Sequence, residues 1–204
     1  GKKITDLDLP NRSDNKAYFS VKEAVFPFSK FPEVDVLLGP EMKSTGEVMG
    51  FGKTFGEAYF KAQRAAGVIL PKEGNVFISV RDHDKEPICE VASELIDMGF
   101  NIYATSGTFN YLADAGIVCS KINKVKDGHP HIVDMIKNNE VHLIINTTEG
   151  ARSIKDSFSI RKEAQNHKIS LTTTVSGAKA FCKAIKFIDD FGAQDLKQRH
   201  ESIL

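Results

Sequence analysis

The sequence predicts an α/β protein: a three-layer domain with a five-stranded, mainly parallel sheet and helices on both faces. Three observations carry this. From residue 76 onward, five short apolar runs alternate with five segments of helical periodicity. Gly, Pro and polar turns punctuate the alternation. The apolar runs are nearly continuous, as in strands covered on both sides.

Each element has its own justification. Residues 76–80 (VFISV) read as the first strand. Asp84 is placed to cap the helix that follows, with Pro87 in its first turn. That helix carries Ile88, Val91, Ala92, Leu95 and Ile96 on one face and stops at Gly99. Residues 100–104 form a second strand. Residues 108–114 form a short helix with Leu112 and Ala113 inward, ended by Gly116. A third strand is expected over 117–122. Ile132, Met135 and Ile136 mark a helix after Pro130, and residues 141–145 (VHLII) a fourth strand. Residues 157–166 make a helix with Ile160 and Ala164 inward, and residues 169–173 a fifth strand. The last helix, 177–187, turns Ala178, Phe181, Cys182 and Ile185 inward. Residues after Asp189 are polar and carry no clear stripe.

Upstream, residues 1–52 do not read as a self-sufficient fold. Residues 18–31 are aromatic-rich and broken by Pro27, residues 34–38 (VDVLL) read as a short buried strand, and residues 39–50 are polar between glycines. So much apolar surface needs a partner to cover it. Phe55, Ala58, Tyr59, Ala62 and Ala66 then share one helix face, Gly67 stops that helix, and residues 72–75 link it to the first strand.

Composition narrows the function. The chain has 204 residues, with 27 Lys+Arg against 27 Asp+Glu. A zero net charge is a poor start for binding nucleic-acid backbones. No apolar run approaches the ~20 residues that cross a bilayer, so no membrane role is expected. Cys89, Cys119 and Cys182 are too few and too scattered for a disulfide framework or a zinc site and read as reduced thiols of a cytoplasmic protein. The chain begins at Gly1 rather than Met, which reads as a processed chain or a piece of a longer one.

In a doubly wound sheet, ligands sit beyond the carboxyl ends of the strands. Those ends are Arg81 to Lys85, Thr105 to Thr108, Asn123-Lys124, Asn146 to Gly150 and Thr172 to Thr174. Lysines, hydroxyls, an amide and a glycine turn thus face one rim. Thr105 to Thr108 also opens a helix, whose free N–H groups favour an anion, and Gly107 leaves room for close approach. One such turn alone is ordinary helix capping. The signal is the convergence of Lys85, Thr105, Thr108 and Lys124, which points to a phosphate site. The His129-Pro130-His131 spacing could hold a metal, but with no Cys or third His close in sequence it reads as structural or capping, and no metal is expected. His142 reads as a satisfied strand residue. Ser153, Asp156 and Ser157 could be nucleophile and base, yet Asp156 sits where a helix N-cap is needed.

At these residues the chain resembles a known family. Residues 80–85, Ala104 to Thr108 (ATSGT), Asn123 to Val125 with Gly128 to Ile132, Ile144 to Thr148 (IINTT), Asp156-Ser157 and Ile160-Arg161 are similar to the methylglyoxal-synthase-like domain. More closely, they resemble the C-terminal regulatory domain of carbamoyl-phosphate synthase large subunits. Phe28 to Phe31, Asp35 to Gly50 and Thr54 to Gln63 resemble the end of that family's second ATP-grasp half.

The resemblance implies a division into 1–52 as ATP-grasp tail, 53–74 as connecting helix and linker, and 75–204 as regulatory domain. It implies a parent ligase that makes carbamoyl phosphate for pyrimidine and arginine biosynthesis, using ATP with Mg or Mn and a glutaminase small subunit. This chain would itself be non-catalytic and hold no cofactor. Its regulatory domain would bind a nucleotide, UMP or IMP, with control linked to oligomer formation. By motif, the phosphate would meet Lys85, Thr105, Gly107, Thr108 and Lys124, and the base and ribose Asn146, Thr147, Thr148, Asp156 and Ser157. Glu23 and Thr173 match positions of an ornithine site, where an acidic residue of the family is Thr172 here.

Three rivals stand beside this reading. A methylglyoxal synthase acting on dihydroxyacetone phosphate would need two acids, and one is replaced by the turn 128–131. An inosinate cyclohydrolase domain would leave residues 18–66 unexplained. An interaction-only module would leave the rim empty.

Overall fold

The computed structural model describes residues 1–7, 18–31, 34–189, 192–193 and 195–201. The expected strand over 76–80 is β3 (Gly74–Ser79), followed by β4 (Phe100–Ala104), β5 (Ser120–Lys121), β6 (Leu143–Asn146) and β7 (Ser170–Thr172). They form one five-stranded sheet in the order β5-β4-β3-β6-β7. Every neighbouring pair is parallel. The α/β class and the doubly wound sheet are therefore as the sequence predicts.

Strand alternation divides the core into two layers. Val76, Ile78 and Val80, with Leu143 and Ile145, face one side. There they meet α2 (Lys85–Asp97), α3 (Ser106–Asp114) and α7 (Val175–Ile185) through Ile88, Leu95, Leu112, Phe181 and Cys182. Phe77 and Ile144 face the other side, against Ile132 and Ile136 of α4 (Ile132–Lys137) and Ile160 and Ala164 of α6 (Phe158–Asn166). Each fully buried Ile, Leu or Phe of these layers contributes about 1.5–3 kcal/mol. Burial pushes the Cys182 thiol up to about 12, so it stays an inert core thiol.

The departures have physical reasons. The third strand shrinks to two residues, because Val118 is 83% exposed and only Tyr103 and Ala104 offer pairing partners. Cys119 accordingly lies just before the strand, half-buried. Ala113 faces solvent, and Phe109 packs against the core beside Leu112 instead. Residues 34–38 form no strand; Leu38 is 64% exposed. An extra helix, α5 (Gly150–Asp156), precedes α6. The last described helix, α8 (Leu196–Glu201), lies in the polar tail.

Residues 18–52 contain an element the sequence reading lacks: a hairpin of β1 (Phe19–Val25) and β2 (Gly46–Gly52), paired antiparallel. The helix α1 (Phe55–Ala65) lies across it. Thr54 caps α1, its Oγ1 accepting the Glu57 N–H at 3.2 Å. Gly50 and Gly52 let β2 touch the α1 backbone: a Cβ at Gly50 would collide with the Ala58 carbonyl. On its other side α1 packs on α7. Gly56 abuts Lys183, whose carbonyl oxygen lies 2.5 Å from where a Cβ would stand, and Tyr59 meets Phe181 with ring centroids 6.2 Å apart. The helix expected to be a connector thus joins the hairpin to the sheet domain.

Candidate functional site

The sheet winds outward from β3 in both directions, β4 and β5 one way, β6 and β7 the other. The switch in direction lies between β3 and β6, where the loops leaving the two strands splay apart and open a crevice. A cleft of about 830 Å³ occupies that place. Ser79 to His83 supply one wall, Asn146, Thr147 and Glu149 another, and α5 with the start of α6 a third. Five cationic residues line it, Arg81, Lys124, Lys126, Arg152 and Lys155, against three carboxylates, Asp82, Glu149 and Asp156.

At the floor sits Asn146, 2% exposed. Its Nδ2 donates to the Ser79 carbonyl at 3.3 Å, while its Oδ1 is buried and finds no hydrogen-bond partner among the described residues. A buried amide oxygen left so is costly unless something else supplies a donor. Thr147 is buried beside it and its Oγ1 accepts the Arg81 N–H at 3.1 Å, which ties the β3 loop to the β6 loop.

The predicted residues fall into two groups. Lys124, Asn146, Thr147, Asp156 and Ser157 line the cleft together. Lys85, Thr105, Gly107 and Thr108 gather one strand over, at the α2 and α3 N-termini. Lys85 Nζ pairs with Asp82 at 2.7 Å and lies 3.6 Å from the Cβ position of Gly107. Thr105 Oγ1 lies 3.0 Å from Ser79 Oγ, and Thr108 Oγ1 accepts the Val80 N–H at 3.1 Å. Ser79 therefore touches both groups, since it also lines the cleft. Thr148 is half-buried and does not line it.

Asp156 departs from its expected role as a cap. It ends α5, and its carboxylate takes Lys126 at 3.0 Å. The hydrogen bond from Lys126 holds the Asp156 carboxyl below its ordinary range, with Arg152 and Lys124 adding to the pull. Asp84 likewise makes no side-chain cap; its carboxylate binds Arg81 Nε at 2.9 Å. Arg81, Lys126, Arg152 and Lys155 were not singled out by sequence. A helix prediction over 150–156 would have exposed the last two as one turn apart on the same side.

The remaining candidates are placed as follows. His131 caps α4 through Nδ1, which accepts the Asp134 N–H at 3.3 Å, while Asp134 Oδ2 accepts the His131 N–H at 2.9 Å. His129 Nδ1 lies 2.7 Å from the same carboxylate oxygen. His131 thus caps α4, as the capping reading has it, but Asp134 adds a carboxylate that reading did not count: ligand atoms of His129, His131 and Asp134 all lie within 4.8 Å of one another. His142 Nδ1 accepts the Asn75 N–H at 3.1 Å, which satisfies that nitrogen, but the residue lies exposed just before β6 rather than inside the expected strand. Glu23 lies in β1, where burial raises its carboxyl and Gln63 hydrogen-bonds it; the neighbouring Tyr59 hydroxyl is pushed up to about 12 by burial and by that charge. Thr173 follows β7 directly and precedes Thr174, the cap of α7. Among the described residues no helix is long and apolar enough to cross a membrane.

The family model of the MGS-like domain matches residues 87–173. The carbamoyl phosphate synthase large chain of Pseudomonas syringae pv. tomato is 56% identical over 100% of this chain and 19% of its own length. That of Xanthomonas campestris pv. campestris is 50% identical over 91% of this chain and 17% of its own. The chain thus spans about one-fifth of the curated relatives it matches. Among solved structures, a methylglyoxal synthase from Elizabethkingia anophelis shares 14% identity and a TM-score of 0.47, covering 65% of this chain and 93% of that one.

Proposed function

We infer the role of this chain from its membership of the carbamoyl phosphate synthase large chain family, and propose that its MGS-like domain is a regulatory module that binds a nucleoside monophosphate of the UMP or IMP type. In this reading the chain is not itself catalytic. The parent carries out ATP-dependent synthesis of carbamoyl phosphate with Mg or Mn, alongside a glutaminase small subunit, in the cytoplasm. Residues 1–52 are the tail of its second ATP-grasp half, 53–74 a connector, and 75–204 the regulatory domain. Glu23 and Thr173 are what this chain retains of an ornithine site.

The observation that carries the reading is the Asn146 amide oxygen, buried without a partner at the floor of a cationic cleft at the strand-order switch. A nucleotide offers both things the cleft lacks. Its ribose or base supplies the donor for Asn146 Oδ1, and its phosphate offsets the excess of Arg and Lys. Lys124, in the cleft lining, and Lys85, Thr105, Gly107 and Thr108, one strand over, supply charge and direction for the phosphate. Thr147, Asp156 and Ser157, which line the same cleft, would meet the sugar, with Thr148 behind Thr147 outside the lining.

Calorimetric titration of the chain with UMP and IMP tests this. One of the two binds the wild type, and Lys124→Ala loses most of that affinity. A folded chain that binds neither would sink the proposal. The lyase alternative needs a carboxylate ready to accept a proton. Asp156, paired with Lys126 and lowered by it, is a weakened base, so no phosphate release from dihydroxyacetone phosphate is expected.

A further inference from the structure

Among the described residues Arg161 is the largest side chain with under 2% exposure, and it lies outside the cleft lining. It is 1% exposed, on the first turn of α6. Its Nε donates to Asp35 Oδ1 at 2.8 Å and its Nη2 to Asp35 Oδ2 at 2.5 Å, a two-pronged pair across 126 residues of sequence. The same Nη2 donates to the Ile154 carbonyl in α5 at 2.9 Å. Its Nη1 is buried with no partner among the described residues. Asp35 in turn accepts the Leu37 N–H at 3.2 Å. One guanidinium therefore fastens three pieces: residues 35–37, the body of α5, and α6.

Those two helices build the third wall of the cleft. Arg152, Ser153, Lys155 and Asp156 come from α5, and Ser159 and Ile160 from α6. Beneath α5 the packing is open: a second hollow of about 540 Å³ lies among Asp35, Ala151, Ile154 and Phe158. None of α5 is buried, so little apolar contact holds it. A buried, bidentate pair in that setting fixes geometry more than it adds stability.

We propose that Arg161 is a positioning residue which, through Asp35, holds the α5–α6 wall where its cations can meet a bound anion. The affinity of the cleft then depends on a carboxylate that does not line it. By linkage, an anion in the cleft must steady residues 35–37 by the same free energy. This rests on the nucleotide reading given above.

The test uses Asp35→Asn, which keeps the shape and one acceptor but removes the charge, and Arg161→Lys as a second variant. Lys179→Ala on the far helix α7, which removes an exposed pair with Glu90 of α2, is the control. UMP, IMP and inorganic phosphate are titrated against each, with folding checked by circular dichroism. Both latch variants weaken the ligand that the wild type binds by about fivefold or more, and the control does not. Hydrogen exchange at the Leu37 amide slows on ligand addition in the wild type and not in Asp35→Asn. Unchanged affinity in two folded latch variants, with no ligand effect at Leu37, overturns the latch and leaves the binding reading standing. A wild type that binds none of the three overturns both.

Discussion

Asn146 and Ser79 face each other across the β3–β6 pair, and the Asn146 amide nitrogen donates to the Ser79 carbonyl at 3.3 Å. The same carbonyl accepts the Thr147 N–H at 3.1 Å. The Ser79 carbonyl thus stays satisfied when the side chain is lost, and the price of keeping an asparagine here falls on its orphaned oxygen.

Asn146→Leu should therefore leave stability within about 1 kcal/mol of wild type, since one hydrogen bond and one buried unsatisfied acceptor vanish together. Nucleotide affinity should drop at least tenfold. Denaturant melts and titration with UMP and IMP check the two halves separately; a large loss of stability would mean that the amide is structural.

The Asp35–Arg161 pair gives a pH signature. Burial tends to raise the Asp35 carboxyl, but the hydrogen bond from Arg161, with the Leu37 N–H and the guanidinium charge, outweighs it and leaves the group below 3.8. A lowered folded-state value stabilises at pH above the unfolded value and is lost as pH falls through the folded one. The Tm gap between wild type and Asp35→Asn should be full at pH 5–7 and close as pH drops below about 4. A gap that persists unchanged at pH 3 would show that charge plays no part in it.

Lys126→Ala should release Asp156. Its carboxyl then titrates closer to 3.8, read by carboxyl NMR, and the freed negative charge at the cleft wall lowers phosphate and UMP affinity severalfold. Stronger binding in this variant would mean that Lys126 does no more than shield Asp156.

Gly56→Ala tests the joint between hairpin and sheet domain. The added methyl would press on the Lys183 carbonyl, 2.5 Å away, in two backbones that cannot yield separately. A loss of about 1–3 kcal/mol is expected. Limited proteolysis should then cut between residues 67 and 74, where the two parts connect. Wild-type resistance would place the joint elsewhere.

How much of this was legible follows from what each residue buries. Residues 76–78 and 143–145 are buried on both faces, so their apolar runs announced strands directly. The hairpin was hidden because β2 reads GEVMGFG; the glycines that argue against a strand are there for the close approach of α1. Helix α5 was hidden because nothing in it is buried, which leaves no stripe to read. In the rim, lysines and hydroxyls were visible as a set at strand ends. The gap between Lys85 and Lys124 was not, since only the cross-strand order β4-β3-β6 reveals which loops share a cleft. Arg161 was unreadable as a latch: a charge on a helix normally points to solvent, and its partner lies 126 residues away.

Besides the loops that leave β3 and β6, the rim draws on two stretches of chain that add little to either core layer. Between residues 123 and 131 only His131 is buried, and between 149 and 157 nothing is. Each stretch can change its side chains without disturbing a core layer, and one can change while the other keeps its donors. The frame is therefore retunable: a lineage could shift from one anion to another by substitution in a single loop, while the sheet that presents the loops stays as it is.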